Sequence, residues 1–321
     1  MNLQDILSSD LLMTIAYFDL FDYPLTTFEI WKWLWREDGE RVSYGAVQNE
    51  LEKNPEIKKY IVRRGAFWCL KGRENIVATR EERYRLAIAK LQRARRVAHL
   101  FSYLPWIEGI AACNSLGYRN ASTKSDIDLF IIVRPGTIWL VRFLTVGFLA
   151  MFGLRPMSEK IADTICLSFF VTSDTMNLEH LQKPEGDPYL TYWITQLTPL
   201  FGRGDVWQKF WEANSWIKKF LPNALSTTGR GTWLYGESLP SLTKVHDREL
   251  LSDYSMSVLV NNMVRRWQIA HLPQRLRERI TVGGTDVVVS DQVLKFHDND
   301  RRELYRDRWH RALQKLQLSH Y

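Results

Sequence analysis

The stretch that decides the reading is Asn114-Ser115-Leu116-Gly117-Tyr118-Arg119-Asn120-Ala121-Ser122-Thr123-Lys124-Ser125-Asp126-Ile127-Asp128-Leu129-Phe130-Ile131-Ile132-Val133. An apolar run, Ile110 to Cys113, leads into it, and Asp126 and Asp128 open a second, strand-like run. Side chains alternate across a strand, so residues two apart share a face. Asp126 and Asp128 therefore point the same way, with Phe130 and Ile132 behind them. Ile127, Leu129, Ile131 and Val133 cover the opposite face. Two carboxylates side by side are costly unless something positive sits between them. A hard divalent cation such as Mg²⁺ is the usual partner for such oxygen ligands. Ser115 sits at a turn between a strand and a helix start, where backbone N–H groups can hold a phosphate.

Taken together, the Asn114-Ser115 turn and the Ser125-Asp126-Ile127-Asp128-Leu129 strand start resemble the signature of the DNA polymerase β-like nucleotidyltransferase superfamily. That signature is a Gly-Ser or Gly-Gly turn, a short spacer, and an Asp-x-Asp on a strand. The resemblance covers residues 107–174. Asn114 stands where the family usually has glycine. The resemblance implies that Asp126 and Asp128 hold Mg²⁺ (or Mn²⁺). It implies that Asn114, Ser115 and nearby backbone hold the triphosphate of an NTP. On position alone, Arg119 and Lys124 are the charge-neutralising partners. A third carboxylate is expected on a neighbouring strand. Asp163, just before the apolar run Ile165 to Val171, is the first choice, and Asp174 the alternative. The implied reaction is transfer of a nucleoside monophosphate to an acceptor.

Upstream, the first 70 or so residues predict three short helices and a hairpin. Leu7, Leu11, Ile15 and Phe18 line one face of a helix over residues 5–20. Thr26-Thr27-Phe28-Glu29 reads as a capping box for a second helix, residues 28–36. Ser43 caps a third, Tyr44 to Lys53. Strands follow at Tyr60 to Val62 and Ala66 to Leu70. This arrangement resembles a winged helix-turn-helix domain. By that resemblance Tyr44, Gln48, Asn49 and Lys53 face a DNA or RNA groove, and Arg63 and Arg64 sit on the wing. Glu50 and Glu52 offset the charge of Lys53.

A second capping box, Thr79-Arg80-Glu81-Glu82, predicts the start of a long helix ending before Pro105. Ile138 to Leu154 is apolar apart from Arg142, Thr145 and glycines. It is short of the roughly 20 apolar residues a spanning helix needs, so it reads as a buried helix and no membrane partner is expected. Further on, helices are predicted at Tyr189 to Leu200, Val206 to Leu221, Ser252 to His271 and Asp300 to Leu316. Pro222 to Gly236 reads as a linker. Thr281 to Val289 reads as a hairpin with Gly283-Gly284 at its turn.

The whole chain of 321 residues is 45% hydrophobic, enough for two or three domains. The expected fold is α+β. A winged helix over residues 1–76 precedes a mixed-sheet nucleotidyltransferase core over 77–180, and a mainly helical domain fills 181–321. A net charge of +7 suits a polyanionic partner. Cys69, Cys113 and Cys166 lack metal-type spacing and read as free thiols in a reducing, cytoplasmic compartment. The polar, amphipathic amino terminus predicts no signal peptide. Two other readings remain: a nucleic-acid-binding regulator with a degenerate transferase core, and a toxin-like or antibiotic-modifying transferase.

Overall fold

Both faces of the run after Asp126 are apolar, so it belongs at the centre of a covered sheet. A computed structural model describes residues 3–155, 161–224, 254–297 and 300–318. The first segment holds α1 (Leu3–Asp19), β1 (Leu25–Thr26), α2 (Thr27–Lys32), α3 (Tyr44–Lys53), β2 (Ile61–Arg64) and β3 (Phe67–Leu70). Next come α4 (Ile76–Phe101), β4 (Ile107–Ala112), α5 (Asn114–Gly117), β5 (Ile127–Val133), α6 (Ile138–Met151) and β6 (Ile165–Thr172). The remainder is α7 (Pro188–Gln196), β7 (Thr198–Gly202), α8 (Val206–Ala213), α9 (Tyr254–Ala270), α10 (Gln274–Val282), β8 (Val287–Val289), β9 (Val293–Phe296) and α11 (Arg302–Lys315). The fold is α+β. Among the described residues no helix is long and apolar enough to cross a membrane.

Six strands form a mixed sheet in the order β7-β4-β5-β6-β9-β8. Only β5 and β6 are parallel, and α6 makes the crossover between them. The two faces of β5 divide as the alternation predicts. Ile127, Leu129, Ile131 and Val133 pack with Leu91, Ala94 and Ala98 of α4 and with Trp139 and Val141 of α6. Phe130 and Ile132 pack with Phe169, Trp193 and Phe210 on the other face. Every one of these strand residues is at most 1% exposed, which explains the near-continuous apolar run.

The amino-terminal helices surround a small antiparallel sheet, β1-β3-β2. The Thr26 capping box forms as read: Thr26 Oγ1 accepts from Glu29 N at 3.2 Å, and Glu29 accepts from Thr26 N at 2.9 Å. Ser43 caps α3 through Ala46 N at 3.1 Å. This lobe packs on α7 and α11. Tyr17 stacks on Tyr192 at 4.2 Å, and Trp309 Nε1 donates to Met13 O at 2.9 Å.

Four expectations change. The long helix starts at Ile76, so Thr79 lies inside it rather than at its cap. Ile76 is buried, and Arg80 is held by Glu29 at 2.7 Å and over the Tyr23 ring at 4.0 Å. These contacts fix the first turn in place of a capping side chain. The helix expected to reach Leu200 ends at Gln196, because Pro199 cannot continue it and sits instead in edge strand β7. The Gly283-Gly284 pair ends α10, with Gly283 at φ +76°, and the hairpin turns at 290–292. The predicted helix over 206–221 is α8 followed by a 3₁₀ turn, Ser215–Lys219. The last third is thus not only helical, since it adds β7, β8 and β9 to the sheet. Most of the expected linker, residues 225–236, lies outside the described residues.

Glu29 also accepts from Tyr23 Oη at 3.0 Å, so removing it takes the carboxylate partner from the buried Arg80 guanidinium and the buried Tyr23 hydroxyl. Glu29→Ala is expected to destabilise the protein by about 3–5 kcal/mol. Urea denaturation followed by circular dichroism measures it, and a loss near zero contradicts this account of the lobe junction.

Candidate functional site

Asp126 and Asp128 lie at the amino-terminal end of β5. Ile127 N, between them, donates to Thr164 O at 2.8 Å, and Asp128 O accepts from Cys113 N at 3.1 Å. The backbone is therefore clamped between β4 and the start of β6. Parallel pairing sets Cys166 opposite Asp128. One ligand atom from each of Asp126, Asp128 and Cys166 falls within 4.8 Å of the others. The Cys166 thiol lies beside both carboxyls and favours their charged forms.

The electrostatics follow from this crowding. Burial, then the neighbouring Asp126 charge, pushes the Asp128 carboxyl from 3.8 up to about 7. Burial also raises Asp126, against a lowering pull from Lys90. Burial and the same two carboxylates raise the Cys166 thiol well above its ordinary value. A cation placed among these groups would reverse all three penalties. Two hard oxygens and a soft sulfur fit a divalent metal ion.

Asn114 opens α5 in the left-handed region, φ +51°, which Asn accepts better than most residues. Its Oδ1 accepts from Trp193 Nε1 at 2.9 Å, and its side chain also bonds the Asp128 carboxylate and lowers that group's pKa. Asn114 thus ties the turn, α7 and the acidic pair together. Ser115 is half-exposed, and its carbonyl accepts from Asn120 N at 2.7 Å. Gly117 is required by space: a Cβ there would lie 2.6 Å from Gln196 O. Arg119 is buried at φ +61°, and its guanidinium reaches Tyr84 Oη at 3.3 Å. Lys124 is exposed on the loop before Ser125.

The third-carboxylate choices fall apart differently. Asp163, at φ +62°, points its exposed carboxylate to Lys90 Nζ at 2.7 Å and is not in the ligand cluster. Lys90 is itself buried and also donates to Ser125 O at 2.6 Å. It braces the turn that delivers Asp126. Asp174 follows the carboxy-terminal end of β6, while Cys166 near its start faces Asp128. In a parallel pair that puts Asp174 at the far end of the sheet, so it cannot join Asp126 and Asp128. Cys166 occupies the place a third carboxylate was expected to take. No residue motif announces this, because the match depends on strand register between residues 38 positions apart.

Beside Asn114 lies a cavity of about 200 Å³. Phe169, Tyr189, Trp193 and Tyr305 form aromatic walls, and Lys295, His297, Asp300, Arg301 and Arg302 supply charge and polarity. Arg302 is held by Asp187 at 2.6 Å and Asp300 at 2.7 Å. Burial, aided by Lys295, pushes His297 down to about 3, so the ring is neutral. Its Nε2 lies 3.3 Å from Ser168 Oγ, and Ser168 in turn bonds Cys166. Sequence reading places Asp300, Arg301 and Arg302 in a basic helix and treats His297 as a surface or structural residue.

On the amino-terminal lobe, Tyr44, Gln48, Asn49, Lys53, Arg63 and Arg64 are all exposed. Arg63 lies 3.4 Å from Glu52 and over the Trp68 ring. Glu50 is buried and bonded to Ser8 and Asn54, so it does not offset Lys53 at the surface. Compared with known proteins, the chain matches no family model, no curated protein and no solved structure.

The raised Asp128 carboxyl makes a signed pH prediction. Its folded value, about 7, exceeds the ordinary 3.8, so the native state binds the extra proton. Its contribution is fully present below about pH 4 and is lost as pH rises through about 7. Asp128→Asn removes the titration. Without added metal, the variant is expected to gain on the wild type by about 2–4 kcal/mol between pH 4.5 and 8. Denaturant midpoints across that range check it, and a pH-independent difference contradicts it.

Proposed function

We propose that this chain is a divalent-cation-dependent nucleotidyltransferase, moving a nucleoside monophosphate from an NTP to an acceptor. The observation that carries the reading is the clustering of Asp126 and Asp128 at one strand end next to the Asn114-Ser115 turn, with Asp126 raised by burial and Asp128 by burial and the Asp126 charge. Asp126 and Asp128 would hold Mg²⁺ or Mn²⁺ through their carboxylate oxygens, with the Cys166 thiol lying beside them. Such an ion supplies charge neutralisation for the phosphates and the departing pyrophosphate.

The chain's own residues have separable tasks in this reading. Asn114 orients the Asp128 carboxylate through its amide and keeps α7 against the turn. Lys90 holds the Ser125 carbonyl, and with it the Asp126 approach. Ser115 binds phosphate oxygen, and Lys124 adds positive charge from the loop. The buried position of Arg119 against Tyr84 favours a structural task over phosphate contact. The aromatic cavity beside Asn114 takes the uncharged part of a substrate and excludes water from it. The amino-terminal lobe acts as a winged helix, with the exposed side of α3 and the β2–β3 tip contacting nucleic acid. A DNA or RNA acceptor, brought by that lobe, is the favoured substrate.

Two observations favour a second reading. A thiol stands where a third carboxylate is expected, and Asn114 replaces glycine. Both fit a nucleic-acid-binding regulator whose core keeps the fold without transfer.

The test is transfer of α-labelled NTPs, with Mg²⁺ or Mn²⁺, to RNA, DNA or no added acceptor. Label on an acceptor, reduced at least about 10³-fold in Asp128→Ala, is the expected result. No transfer under any combination, together with tight salt-sensitive DNA or RNA binding, moves the assignment to the regulator.

A further inference from the structure

Helix α9 is inside out. Ser257, Asn261 and Gln268 on its inner side are 8%, 3% and 5% exposed. Met256, Leu259, Met263 and Trp267 on its outer side are 55%, 63%, 67% and 53% exposed. The inward polarity has a local cause. Helix α6 begins after Thr137, whose side chain does not cap it, so its first N–H groups need acceptors. Asn261 Oδ1 provides them, accepting from Trp139 N at 2.9 Å and Leu140 N at 3.1 Å. Gln268 Nε2 donates to Trp139 O at 2.8 Å, and its Oε1 accepts from Arg142. The outward apolarity has no such cause within the described residues. Positions 256, 259, 263 and 267 form one helical stripe, and a contiguous exposed stripe of this kind marks a contact surface.

We infer that this stripe is a twofold interface between two copies of the chain. The spacing is nearly palindromic about residues 261–262. With two α9 helices antiparallel, Met256 meets Trp267 of the partner subunit, and Leu259 meets Met263 of the partner subunit. Such an interface is self-complementary by construction. Thioether against indole is a favourable pairing. Trp267 is already oriented for it, edge-on to Phe143 at 5.7 Å and stacked on His271 at 4.6 Å.

Charge permits this arrangement. Helix α9 contains no Lys, Asp or Glu, and its composition of Met, Trp and Arg matches the buried part of protein interfaces. Antiparallel helices also oppose their dipoles favourably. Arg266 lies roughly 13 Å along the axis from its mate, at 1.5 Å rise per residue, which exceeds a Debye length of about 10 Å at 0.1 M salt. An anionic membrane surface fits the stripe less well. Arg265 is engaged by Asp291 at 2.9 Å, which leaves it less free to meet lipid phosphate.

Sedimentation equilibrium of the full chain over a concentration series tests the inference. The expected result is a monomer–dimer equilibrium whose dissociation constant rises at least about 30-fold in Met263→Glu and in Leu259→Glu. Both positions face solvent in the monomer, and circular dichroism confirms that the variants are folded. Met263→Cys, at the centre of the stripe, is expected to form a disulfide-linked dimer under mild oxidation, and Arg266→Cys is not. A monomer at every concentration overturns the inference. So does a dimer unaffected by both substitutions, or stripe-dependent flotation of monomers with phosphatidylserine vesicles.

Discussion

Two carboxylates fixed side by side at the buried end of a strand repel each other, and the surroundings of β5 hold them there against that repulsion. The β4 and β6 backbones clamp the peptide units on either side of Ile127. Asn114 and Cys166 lie beside the carboxyls without neutralising them. Lys90 lends positive charge only from the side and is shared with Asp163. An arrangement of this kind is unfavourable in its own right, and a site poised for an external cation is its simplest physical rationale.

Helix α7 connects this site to the amino-terminal lobe. Consecutive residues serve different clusters. Tyr192 stacks on Tyr17 in the lobe, and its hydroxyl donates to Trp33 O at 3.2 Å. Trp193 packs on Phe130 and Phe169 and bonds Asn114. Helix α11 does the same at longer range, with Trp309 in the lobe and Arg302 and Tyr305 at the cavity. The amino-terminal lobe is therefore packed directly against elements that shape the cavity.

Where local rules governed, the sequence was readable. Period-two alternation assigned every residue of β5 to its correct face, and Ser43 and Thr26 capped their helices as read. Asn114 takes the left-handed backbone that its side chain tolerates. Reading failed where long-range pairing decided. Cys166 reaches Asp128 only through strand register, and Lys90 meets Asp163 across 73 positions. Thr79 looked like a cap because Glu82 stands three residues on, whereas burial of Ile76 and of Arg80 against Glu29 and Tyr23 carries the helix past it. The inverted polarity of α9 answers to uncapped N–H groups on another helix, which no pattern within α9 reveals.

The central claim is that Asp126 and Asp128 form a divalent-cation site. Calorimetric titration of the purified chain with Mn²⁺ at pH 8 tests it most directly, because it requires neither a nucleotide nor an acceptor. The account predicts saturable binding accompanied by proton release, weakened at least about 100-fold in Asp128→Asn. Binding of equal strength in that variant, or none in the wild type, contradicts it.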